Sequence, residues 1–85
     1  MTATGQSLMQ MANGTKCMIA AIDLSSESRE RLFELGLLVG TTIEVVRYAP
    51  LGDPVEIKVR GYRLMIPRSE AERIFVVPPI VENKG

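Results

Sequence analysis

The groups in this 85-residue chain that could do chemistry are ten acidic residues, ten basic ones, a single cysteine and no histidine. Without imidazole, no side chain of ordinary pKa titrates near neutrality as base, acid or metal ligand. One thiol is too few for a thiolate zinc or iron–sulfur cage. Gly14-Thr15-Lys16 lacks the spacing of a phosphate loop, in which Gly-Lys is followed by Ser or Thr, because Lys16 lies between Thr15 and Cys17. Cys17 sits within an apolar run and reads as inert core packing. Glu30 and Glu34, one helical turn apart, read as a solvated face rather than an acid and base pair. The expectation is therefore a protein that is not an enzyme, with no catalytic residues, no metal ligands and no cofactor.

What remains is surface shape. Leu51 lies at the tip of Ala49-Pro50-Leu51-Gly52-Asp53-Pro54, Phe33 falls about a quarter turn from the Leu32 and Leu35 face, and Met65 points opposite Leu64 and Ile66. If contiguous, these residues form an apolar patch of the kind that marks a protein-binding site. The alternative is that each is covered separately by the N-terminal arm or by hairpin partners. Asp53, between Gly52 and Pro54, has a side chain that can bond the backbone and fix the turn, besides any contact with a partner. The partner-binding candidates are Phe33, Tyr48, Leu51, Gly52, Asp53, Pro54 and Met65.

The elements that must position them follow from local pattern. Ser25 and Ser26 can accept hydrogen bonds from a first helical turn, Glu27 complements the helix dipole, and Gly36 can close the helix in a left-handed conformation. Residues 15–23 form a short apolar run that fits a strand buried on both faces. Thr41 to Tyr48 is rich in β-branched and apolar residues and predicts a second strand. From Val55 to Arg60 apolar and charged residues alternate, which predicts a strand with Val55, Ile57 and Val59 on the core and Glu56, Lys58 and Arg60 in water. Gly61 allows a tight turn into a strand over 62–67. Ser69 then caps a single helical turn before a last strand at 74–77. These elements predict a mainly β domain: a small closed or partly closed barrel of about five strands with one inserted α-helix and a short helical turn before the last strand. Residues 1–14 read as an arm, loose or briefly helical, that docks Leu8, Met9 and Met11; 15–77 as the folded domain; and 78–85 as a tail.

Composition bounds the rest. A hydrophobic fraction of 46% with 24% charged residues suits a folded domain. Zero net charge with interleaved signs gives no field that favours nucleic acid or anionic lipid. No apolar run approaches the ~20 residues that span a bilayer, and no basic residue precedes the N-terminal Leu and Met positions as in a secretory signal. With its lone thiol, the chain reads as soluble and cytoplasmic, without membrane insertion, and as a monomer or weak homo-oligomer.

The stretch from Arg29 to Val76 closely resembles the ferrous iron transport protein A (FeoA) family. The resemblance rests on Arg31-Leu32 with Glu34-Leu35-Gly36-Leu37 and Gly40, on the loop from Ala49 to Pro54, and on Ser69-Glu70-Ala71 leading to Ile74 and Val76. One departure is Val39, where many members have proline, which loosens that loop. The resemblance implies an SH3-like β-barrel with an inserted helix. It also implies a cytoplasmic accessory protein working beside FeoB, the membrane ferrous-iron transporter with a GTP-binding part. A similar domain ends certain metal-dependent repressors, but this chain has no DNA-binding half. The second functional expectation is a small regulatory module that senses a metal ion or ligand, or mediates oligomerisation.

Overall fold

A computed structural model describes residues 5–79. In chain order these form β1 (Gln6–Ser7), a 3-10 turn (Leu8–Gln10), β2 (Lys16–Ile22), α1 (Ser26–Glu34), β3 (Thr42–Tyr48), β4 (Val55–Val59), β5 (Tyr62–Ile66), α2 (Arg68–Ala71) and β6 (Ile74–Val77). All strand pairs are antiparallel, in the order β1-β6-β2-β3-β4-β5, which leaves β1 and β5 as edges. The fold is mainly β with two helices, as expected.

The helix starts and stops where its residues require. The Ser25 hydroxyl accepts a hydrogen bond from the Ser28 amide at 3.2 Å, which satisfies one of the donors that a helix start leaves free. At the other end Gly36 has φ +95°, the Leu37 amide reaches back to the Leu32 carbonyl at 2.8 Å, and the Gly36 amide reaches Phe33 at 2.9 Å. This paired closure turns the chain back on itself and buries Leu32 and Leu37 together. Burying one leucine fully is worth about 1.5–3 kcal/mol, so this contact does much to hold the helix on the sheet.

The β4–β5 hairpin closes through Arg60 and Gly61, at φ 51° and 89°, with Val59 opposite Tyr62. Two left-handed residues in a two-residue loop match the twist of the strands they join. Val55, Ile57 and Val59 point into the core, where they meet Ile19, Ile43, Val45, Ile66, Ile74 and Val76.

Three expectations need correction. Glu56 does not face water: it is only 6% exposed, because the register shifts between Val45 and Arg47 and brings Arg47 opposite it. The strand expected over 15–23 is buried chiefly on one face, at Cys17 and Ile19, since the sheet packs its core on one side only. Ser69 does not cap α2. It lies inside that helix, whose N-cap is Pro67, a residue with no side-chain acceptor.

The N-terminal segment takes the briefly helical form of the two expected, with Leu8, Met9 and Met11 docked on the core, and is held further by strand pairing. Gln6 and Ser7 pair with Val76 and Phe75 on β6, and Leu8 is fully buried. The tail expected over 78–85 lies outside the described residues beyond Pro79. Among the described residues no helix is long and apolar enough to cross a membrane.

Candidate functional site

The turn from Ala49 to Pro54 is closed by its own backbone. The Gly52 amide donates to the Ala49 carbonyl at 2.7 Å, and the Ala49 amide donates to Pro54 at 2.9 Å. Pro50 supplies the fixed φ that the second position of such a turn prefers, and the Asp53–Pro54 peptide is cis. Asp53 does not bond within this turn. Its Oδ1 accepts from the Arg68 amide at 2.9 Å, and so supplies from outside the cap that Pro67 cannot give to α2. Leu51 at the tip is 91% exposed.

Two ion pairs carry α2 and the start of β6 onto α1. Arg31 of α1 bonds Glu70 of α2. Arg73 donates to the Asp23 carbonyl at 2.9 Å and to its carboxylate at 3.2 Å, just before α1 begins. Within α2, Arg68 pairs with Glu72 at 2.9 Å. Both ends of the inserted helix are thus tied to the segment that Asp53 caps.

On its other side α1 forms one wall of an open groove of about 650 Å³. Phe33 and Val39, each 60% exposed, line it with Ile22, Leu37 and Leu38, and Ser26, Arg29 and Glu30 give it a polar rim. Of the partner-binding candidates, Phe33 alone lines this groove. The triplet Leu37-Leu38-Val39, three apolar residues straight after a helix-ending glycine, was the signal for the rest. Only Leu37 goes inside; Leu38 and Val39 are left on the groove wall.

Met65, 56% exposed, lies on the edge strand β5 opposite Glu56. There Glu56 is held between two arginines, Arg47 at 2.7 Å and Arg63 at 3.3 Å. The hydrogen bond from Arg47, with its charge and that of Arg63, holds the Glu56 carboxyl below its usual pKa against the opposing effect of burial.

Tyr48 is turned inward. Its hydroxyl donates to the Leu8 carbonyl at 3.1 Å and also bonds the Met11 carbonyl, so it fastens the N-terminal segment. Burial raises its pKa, with a further push from Cys17. Burial also raises the pKa of the Cys17 thiol, which keeps it protonated and a poor nucleophile. Among the described residues no three of Asp, Glu and Cys converge to hold a metal ion. The candidates therefore fall in four places: Phe33 in the groove, residues 51–54 on the turn by α2, Met65 on the sheet edge, and Tyr48 beneath the N-terminal segment.

The FeoA domain model matches residues 6–78. A relative from Porphyromonas gingivalis, an Fe(2+) transport protein A/Fe(2+) transporter FeoB fusion protein, is 33% identical over 69 residues. These residues are 81% of this chain and 8% of the relative, so the chain spans a small fraction of that protein. The solution structure of a FeoA protein from Chlorobium tepidum superposes with TM-score 0.83 at 33% identity, covering 93% of this chain and 75% of that one. A FeoA-like protein from Clostridium acetobutylicum gives TM-score 0.79 at 28% identity, covering 99% and 98%. Its small SH3-like β fold and the extent of these matches show that the chain belongs to the FeoA family.

Proposed function

We propose that this protein is an accessory domain of ferrous-iron uptake, without catalysis of its own, that docks on the cytoplasmic GTPase part of a FeoB-type transporter. There it supports or regulates GTP-dependent iron transport. The observation that carries this reading is the Porphyromonas gingivalis relative, in which the A protein and the transporter are one fusion protein. Covalent joining keeps two partners at high effective concentration, which is useful when they work in contact.

The docking surface in this reading is the outer face of α1 with its groove, together with the turn at 50–54. Phe33 and Leu51 supply exposed apolar contact, Gly52 and Pro54 close the turn through backbone bonds, and Asp53 ties it to α2. A rigid apolar anchor that meets a partner already in its bound shape loses little conformational entropy. Ferrous iron is then the transporter's cargo, and the chain acts at the cytoplasmic face of the membrane through its partner.

The test is a titration of the purified cytoplasmic GTPase domain with this protein in the apo, GDP and GTP-analogue states, alongside iron uptake in a deletion strain. Saturable binding in at least one state and reduced uptake on deletion are expected. No binding in any state, with uptake unchanged, would end the proposal. Calorimetry with ferrous, manganous and zinc ions separates it from a metal-sensing module, which alone requires a specific saturable heat.

A further inference from the structure

The outer edge of β5 is set up to take another strand. Val59 and Tyr62 close the hairpin and so exchange both of their ladder hydrogen bonds, and the pairs Ile57–Leu64 and Val55–Ile66 repeat that pattern. The amides and carbonyls of Tyr62, Leu64 and Ile66 therefore point at β4. Those of Arg63 and Met65 point away from it, and neither residue makes another backbone hydrogen bond among the described residues.

Charge and exposure define what would fit there. On the outer face Lys58 lies directly opposite Arg63, two like charges side by side at the edge. Arg63 leans to Glu56, but Arg47 shares that carboxylate, and Lys58 and Arg60 make no ion pair among the described residues. Glu44 stands opposite Lys58 on β3 and Glu56 serves both Arg47 and Arg63, so two carboxylates answer four cations, Arg47, Lys58, Arg60 and Arg63, and this end of the sheet keeps a net positive charge. On the inner side Leu64 is half-buried and Tyr62 is 41% exposed, which leaves apolar surface next to the same edge.

A second copy is a poor occupant. Antiparallel self-pairing centred on Leu64 matches the outward backbone groups, with Arg63 opposite Met65, but it draws the Arg63 and Lys58 of both copies along one seam. It also brings two positive sheet edges together. We infer that the free edge of β5 captures an extended segment of another protein, alternating acidic with apolar residues, as a seventh strand. The acids meet Lys58 and Arg63, the apolar residues cover Leu64 and Tyr62, and the backbone of Arg63 and Met65 supplies the ladder. This adds an edge-on contact to the docking reading above. Its test is separate, because a peptide replaces the transporter.

The probe is a fluorescein-labelled peptide of about eight residues alternating valine and glutamate, long enough to span β5, followed by anisotropy. It should bind saturably, and more weakly as salt rises. The lysine counterpart should bind at least roughly tenfold more weakly, as should the peptide N-methylated on alternate residues, which removes its ladder donors. Met65→Pro deletes an outward amide without touching the β4 ladder and should weaken binding similarly. The N-methylated peptide decides the matter even if that variant fails to fold. The inference is overturned if the glutamate peptide does not bind up to about 1 mM, or binds no better than its lysine or N-methylated forms. It is overturned equally if sedimentation shows a dimer that Met65→Pro converts to monomer, since a second copy then owns the edge.

Discussion

Asp53 caps a helix it does not belong to: its carboxylate receives the Arg68 amide at 2.9 Å across fifteen residues of chain. One hydrogen bond thereby ties the shape of the 49–54 turn to the start of α2. Asp53→Ala should cost about 0.5–2 kcal/mol, the usual range for a lost cap, and should leave the sheet folded. Denaturant melts give the cost, and amide exchange should show faster opening at Arg68 and Glu70. Transporter binding should weaken in the same variant; global unfolding would mean that the residue is chiefly architectural.

Glu56 gives a pH dependence with a definite sign. Its carboxyl titrates below the unfolded value of about 4.3, chiefly through the Arg47 hydrogen bond, so the folded state favours the ionised form. The stability this contributes is complete above the unfolded pKa and is lost as pH falls through the lower folded value. Glu56→Gln should therefore flatten the acid limb of a stability–pH curve measured by urea denaturation. An unchanged limb would show that other carboxylates carry it.

Gly36 combines two demands. It holds φ +95°, and a Cβ built there would lie 2.8 Å from the Tyr62 hydroxyl, which itself bonds the Leu35 carbonyl. Gly36→Ala should lose about 1–2 kcal/mol from the backbone alone, with the clash in addition. In a Tyr62→Phe background the clash is removed and the conformational cost stays, so the substitution should hurt less. A double-mutant cycle by thermal melting measures the difference.

Phe33 and Val39 offer a change in binding without a change in fold. Both are largely exposed on the groove, so Phe33→Glu with Val39→Asp should shift stability by about 0.5 kcal/mol or less. Binding to the transporter GTPase domain should nonetheless fall at least roughly tenfold, as expected for loss of a central aromatic contact. Calorimetric titration beside a melt of the same sample checks both parts.

Legibility in the sequence followed the range of the forces. The start of α1 at Ser25 and its closure at Gly36 are decided within a few residues and were readable, as was the turn at Gly61. The cap on α2 was not, because the sequence offers Ser69 nearby while the acceptor that counts is Asp53, distant in chain and near only once β4 and β5 have formed. Alternation placed Val55, Ile57 and Val59 correctly, yet it could not show that a register shift in β3 would lay Arg47 over Glu56. The two-residue strand β1 is too short to leave any period. The groove needed both α1 and the apolar triplet after it, and only Phe33 stood out beforehand.

The ion pairs that strap α2 to α1, together with the Asp53 bond, have a mechanical outcome. Phe33 and Leu51 stand at separate places on the exterior, yet the pieces that carry them are bolted to one chassis through Arg31, Glu70 and Arg68. A binding protein that grips one foothold finds the other at a preset spacing. The entropy of aligning the two is spent when the chain folds, rather than at each encounter.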